Sequence, residues 1–192
     1  MIHASEALNR LKEGHQLFLS QQAMKVNTEQ HIRSLAENGQ HPFAVIITCS
    51  DSRVAPEILF HCQLGDIFTI RTAGNVISDV VLGSIEYAVD HLHVNLVLVL
   101  GHTHCGAVES ALEPHDSCSH CMHELLARIE PSVQQASAKC CEHAAIADLA
   151  EDLNIENAMH CISSYPGFAD RKALQICGAK YDIETGRILY WK

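Results

Sequence analysis

Two short segments of this chain carry side chains that together can hold and use a metal ion. Cys49-Ser50-Asp51-Ser52-Arg53 directly follows the apolar run from Phe43 to Thr48, and Gly101-His102-Thr103-His104-Cys105-Gly106 directly follows the apolar run from Leu96 to Leu100. Each run has the length and composition of a buried strand. Cys49, His102 and Cys105 therefore fall just past the carboxyl ends of two strands, where ligands bind in an open parallel sheet. Two thiolates and one imidazole form a zinc-binding set that leaves a fourth position for water or substrate, the pattern of a catalytic metal rather than a structural one. Asp51 and Arg53 stand beside this set, close enough in sequence for carboxylate and guanidinium to meet. The cation keeps the carboxylate ionised and acceptor-only. Asp51 then has two competing partners, Arg53 and the metal itself.

These residues need a framework. Ala7, Leu8, Leu11 and Phe18 share a helical face, so the N-terminal segment reads as a helix that docks on something. A second helix runs from about Thr28 to Asn38 and ends at Gly39. Strands are expected at Phe43 to Thr48, Ile67 to Ile70 and Asn95 to Leu100. A short proline-opened helix is expected at Pro56, and a helix from Val80 to His91 with Val81, Ile85, Ala88 and Val89 inward. Another helix starts at Gly106. Residues 113–131 read as mixed loop and helix, and 133–163 as helix with an interruption around 139–143. Leu174 to Tyr181 reads as a strand, and Thr185-Gly186 turns it into Ile188 to Trp191, an antiparallel edge. Strand-helix alternation implies an α/β fold: a mostly parallel central sheet with an antiparallel edge strand, helices on both faces and an N-terminal helical arm.

The bulk numbers bound the rest. A chain of 192 residues, 47% hydrophobic, fits one domain with ample core. Thirteen Lys and Arg against 23 Asp and Glu give a net charge of -10, which argues against nucleic-acid and anionic-membrane partners, since both need a basic face. The first 20 residues do not read as a signal peptide and no window reaches transmembrane length. The expected setting is cytoplasmic, where the 9 cysteines stay reduced and clustered Cys and His point to metal before disulfide.

With those segments in order, the chain resembles a β-class carbonic anhydrase. The resemblance is carried by Cys49-Ser50-Asp51-Ser52-Arg53-Val54, Gly65-Asp66-Ile67-Phe68, Arg71 with Ala73-Gly74-Asn75, Ile85 to Val89, Gly101-His102 through Cys105-Gly106-Ala107, and Gly178-Ala179 with Tyr181-Asp182 and Thr185-Gly186. It implies one zinc per subunit held by Cys49, His102 and Cys105, and reversible hydration of carbon dioxide to bicarbonate by hydroxide on that zinc. It also implies a homodimer or a multiple of it, with residues 1–38 as a helical dimerisation arm and 39–192 as the α/β zinc core of a single domain. Gln40, Phe68 and Tyr87 fall at positions that line the substrate pocket from the neighbouring subunit in plant-type members, and Gly106 falls at the substrate side of the turn. Gln40 would donate to a bicarbonate oxygen, and Phe68 and Tyr87 would make the pocket apolar enough for a linear, uncharged substrate. The sequence departs from the family's usual pattern at His15, His61-Cys62 and His104.

Two other readings share these motifs. Carbonyl sulfide or carbon disulfide, both linear, would be hydrolysed at the same zinc. A non-catalytic zinc-binding or redox-sensing protein would use the Cys and His excess but would have no use for the Asp51-Arg53 pair. His115, Cys118, His120, Cys121 and His123 form a second Cys/His-rich stretch; a second metal competes there with an incidental surface.

Overall fold

The computed structural model describes residues 2–25, 27–114 and 117–191. Along the chain come α1 (Ala4–Leu19), α2 (Glu29–Asn38), β1 (Ala44–Cys49), α3 (Pro56–Leu59), β2 (Ile67–Thr72), α4 (Asp79–His91), β3 (Leu96–His102), α5 (Gly106–Leu112), α6 (His120–Ser137), α7 (His143–Ser163), β4 (Gln175–Tyr181) and β5 (Ile188–Trp191). The strands form one sheet in the order β2-β1-β3-β4-β5. All neighbours are parallel except β4 and β5, the antiparallel edge.

The unbroken apolar runs of β1 and β3 follow from burial on both faces of the sheet. Ala44, Ile46, Leu96, Leu98 and Leu100 face one core with Leu11 of α1 and Phe60. Val45, Ile47, Val97 and Val99 face the other with Ile85 of α4 and Ile155 and Ile162 of α7. A third apolar cluster joins Cys49 and Cys105 to Val108, Leu126, Ile129, Val133 and Leu153, so α5, α6 and α7 make a floor under the two cysteines.

Three local differences from the sequence reading have physical causes. β1 and β3 run further than their apolar letters, because Cys49 and His102 stay in the sheet: Cys49 pairs with Thr72 and His102 with Tyr181. The interruption expected around 139–143 is present, between the end of α6 at Ser137 and the start of α7 at His143, but α6 starts at His120 rather than near 133. Pro131 lies inside α6; the buried stripe Leu126, Ile129, Val133 and Ala136 holds the helix through it, overriding the lost backbone donor. The expected N-terminal arm divides in its packing. α1 buries Ala7 and Leu11 in this chain's own core, whereas α2 buries no residue and meets the domain where His31 Nε2 lies 3.1 Å from the Leu64 carbonyl.

Candidate metal centre

Cys49, His102 and Cys105 bring their ligand atoms within 4.8 Å of one another, and all three residues are buried. β1 and β3 are adjacent parallel strands, so their ends set Cys49 and His102 side by side. The chain then turns back at His104, whose φ of 55° is left-handed, a conformation histidine adopts more readily than most residues. That turn delivers Cys105 as the residue before α5. Among the described residues this is the group of His, Cys and acidic side chains with converging donor atoms. Cys118, His120, Cys121 and His123 stand at the start of α6, partly or fully exposed and outside that group; His115 lies outside the described residues.

Asp51 and Arg53 pair through two parallel hydrogen bonds, Arg53 Nε to Asp51 Oδ1 at 2.9 Å and Arg53 Nη2 to Oδ2 at 2.7 Å. The Arg53 backbone N–H also donates to Asp51 Oδ1 at 2.9 Å. This is the strong, geometry-specific form of the ion pair. Arg53 Nη2 reaches on to the His104 carbonyl at 3.1 Å, tying the loop after β1 to the turn after β3. Asp51 Oδ2 ends 4.0 Å from His102 Nε2. Asp51 is thus held by Arg53 in this structure. Its hydrogen bonds from Arg53 hold its carboxyl well below the usual carboxylate range.

The two thiols behave as a pair. A hydrogen bond from Cys105 is the largest influence lowering the Cys49 pKa, with His102 and the Gly74 N–H adding to it. Cys105 is pushed up in return by the Cys49 sulfur and by burial. One thiolate forms readily, and the second needs a cation nearby. Burial opposes charge on His102, but Cys49 and the Thr103 carbonyl outweigh it and raise its pKa. His102 Nδ1 lies 2.9 Å from the Thr103 carbonyl, while His102 Nε2 is buried without a hydrogen-bond partner. A buried polar atom left unpaired is costly. With two sulfurs beside it, this orphaned nitrogen fits a tetrahedral metal ion of borderline softness.

Several supporting residues carried no functional signal in the sequence beyond family likeness or none at all. Arg71 on β2 donates from Nε to the Cys49 carbonyl at 3.2 Å and from Nη2 to the Asp51 carbonyl at 2.7 Å, fixing the loop that carries both residues. Glu151, Asn154 and Lys180 approach the same region from α7 and β4.

The pocket residues are less gathered. A cavity of about 380 Å³ opens beside the ligand turn, walled by Thr103, His104, Gly106 and Glu151 among others. Gly106 is exposed there, with open space where a side chain would project. Gln40, Phe68 and Tyr87 are not on its wall. Phe68 on β2 and Tyr87 on α4 pair with each other, ring centroids 6.2 Å apart. Tyr87 is 46% exposed, and Gln40 is exposed in the segment before β1.

The fold and the ligand geometry define a class. A family model described as carbonic anhydrase matches residues 44–188, and the chain belongs to the β-carbonic anhydrase family. It is 45% identical to a carbonic anhydrase of Mycolicibacterium smegmatis over 130 residues, 66% of this chain and 63% of that relative's own length. The β-carbonic anhydrase CcaA superposes with a TM-score of 0.78 at 28% identity, covering 96% of this chain and 95% of that one. A tetrameric β-carbonic anhydrase of Sordaria macrospora superposes with a TM-score of 0.73 at 26% identity, covering 97% and 94%. Among the described residues no helix is long and apolar enough to cross a membrane.

Proposed function

We propose that this protein is a zinc-dependent carbonic anhydrase that interconverts carbon dioxide and bicarbonate, with one zinc per subunit held by Cys49, His102 and Cys105. The observation that carries the reading is the convergence of those three buried donors next to the two-point Asp51-Arg53 pair. When bound, zinc lowers the pKa of a coordinated water to about 7, so that a nucleophile exists at neutral pH.

The chain's own residues do the remainder. Arg53 keeps Asp51 ionised and aimed, so its carboxylate only accepts hydrogen bonds. Fixed in that orientation, the Asp51 carboxylate would accept a hydrogen bond only from a group that still carries a proton, and so would orient that group beside the ligand turn. Arg71 and the Arg53 contact to the His104 carbonyl keep this acceptor in register with the ligand turn. Gly106 leaves the approach unobstructed.

Self-association completes the reading. Gln40, Phe68 and Tyr87 would serve the site of a neighbouring subunit, Gln40 as donor to bicarbonate and the two rings as an apolar wall. The exposure of Gln40 and Tyr87 in a single chain, and a tetrameric structural relative, support this. A single species of 21.1 kDa in sedimentation equilibrium, fully active, would remove the interface from the proposal. The activity itself is tested by assaying the zinc-loaded protein side by side with carbon dioxide, carbonyl sulfide and carbon disulfide. Turnover of carbon dioxide well above the other two is expected. Turnover of a sulfur substrate alone would refute it.

A further inference from the structure

One face of a single turn of α7 touches the support of all three proposed ligands. Glu151 Oε1 accepts the Cys105 backbone N–H at 3.0 Å. Asn154 Nδ2 donates to the Gly74 carbonyl at 2.8 Å, and the Gly74 N–H donates in turn to Cys49 Sγ at 3.3 Å. Ile155 packs over Gly101, the residue before His102, so closely that a Cβ there would meet its Cδ1 at 2.5 Å. Residues spaced this way share one side of a helix, and all three are buried.

We propose that Glu151, Asn154 and Ile155 are positioning residues that set the three metal ligands, and that Lys180 holds Glu151 to that task. The inference rests on the zinc reading above and deepens it.

The Cys105 N–H precedes α5 and has no place in that helix's hydrogen-bond ladder, yet it is buried and needs an acceptor. A carboxylate makes the bond charge-assisted. A bare carboxylate would add negative charge where two sulfurs must both lose protons. Lys180 offsets it: its Nζ lies 3.0 Å from Glu151 Oε2, 2.7 Å from Asp148 Oδ1 and 3.0 Å from Asp152 Oδ1. Lys180 stands on β4 opposite Gly101, one residue before Tyr181, which pairs with His102. The cation that steadies Glu151 is thus built into the sheet beside the histidine ligand. Buried ion pairs add little net stability over apolar residues of the same shape, so stability alone does not account for these charges. A hydrogen bond to the backbone of a ligand does. Asn154 acts without charge: it anchors the Gly74 carbonyl, and so restrains the Gly74 backbone whose N–H, in the preceding peptide unit, meets the Cys49 sulfur.

The test uses full-length protein loaded with zinc or with cobalt(II). Glu151→Met combined with Lys180→Met removes the acceptor and both charges at nearly constant volume, and Asn154→Ala removes the donor to Gly74. Each is expected to hold zinc about 10–100-fold more weakly and to shift the sulfur-to-cobalt absorption bands. Glu151→Gln, which keeps an acceptor oxygen, should recover part of the affinity lost in the double variant. Asn157→Ala is the control: it removes the 2.8 Å bond from Asn157 Nδ2 of α7 to Ser132 Oγ of α6, which includes no proposed ligand. It should lower the melting temperature without moving zinc affinity or the cobalt bands. The proposal is overturned if the Glu151 and Asn154 variants behave like Asn157→Ala or like wild type. Should the double variant not fold, Asn154→Ala decides on the same two readouts. The zinc reading fails separately, if Cys105→Ser keeps full zinc.

Discussion

Cys49, His102 and Cys105 use the same residue types as Cys118, His120, Cys121 and His123, in two different settings. The first three arrive on adjacent strand ends and a left-handed turn, buried, with converging donor atoms. Gly74 and Arg71 hold Cys49, Glu151 holds the Cys105 backbone, and Arg53 holds the carbonyl of His104 between the two later ligands. The other four lie along the start of one helix, partly or fully exposed. Cys118 precedes that helix and the other three lie within its first turn, and no second element brings a further donor into a converging group with them among the described residues. Convergence from separate elements, more than abundance of Cys and His, makes the difference between the two regions.

The largest expected effect that tests this contrast is Cys105→Ser, which should lose most of the zinc and the activity together. Cys121→Ser, its counterpart, should change neither; metal content by mass spectrometry and stopped-flow hydration rates check both. Next comes Arg53→Ala, expected to lower kcat by about 100-fold or more while zinc stays bound, because Asp51 loses the partner that aims it and is freed to turn to the metal. Zinc loss along with activity would show that Arg53 serves binding instead.

Gly101→Ala tests the support from α7. The added methyl would meet Ile155 within 2.6 Å, so overpacking should cost about 1–3 kcal/mol in denaturant unfolding and weaken zinc binding as well. An unchanged midpoint would mean that α7 can yield without consequence. The smallest effect concerns pH. The Asp51 pKa in the folded protein is depressed by Arg53 below the unfolded value of about 3.9. Its contribution to stability is therefore present above pH ~4 and is lost only as pH falls through the lower folded value. Between pH 5 and 9 Asp51 stays ionised, so any inflection of kcat/KM there belongs to another group and should persist in shape in Asp51→Asn, at lower rate. Its disappearance in that variant would contradict the assignment.

Much of this was legible in the sequence for identifiable reasons. The runs 43–48 and 96–100 are apolar because both faces of β1 and β3 are covered, and they lead to the cysteine and histidine at the strand ends. Asp51 and Arg53 are close in sequence, so a local turn suffices to pair them. What escaped was non-local. Glu151 and Lys180 are far from Cys105 in sequence, and nothing in their own neighbourhoods separates them from surface charges such as Asp148 and Asp152. Residues 113–131 read as mixed loop and helix, and the buried stripe that carries α6 from His120 through Pro131 shows only against its packing partners. α1 read as part of an outlying arm, yet Leu11 completes the core under the sheet. Gln40, Phe68 and Tyr87 entered through family likeness alone, and a single chain leaves Gln40 and Tyr87 exposed.

X-ray absorption at the zinc edge on the purified wild-type protein tests the central assignment most directly. The expected result is one zinc with two sulfur neighbours at about 2.3 Å and a histidine nitrogen at about 2.0–2.1 Å, completed by a light atom, with one of the two sulfur contributions lost from whatever zinc Cys105→Ser retains and none lost in Cys121→Ser. A zinc whose sulfur shell survives Cys105→Ser intact, or shrinks in Cys121→Ser, would contradict it.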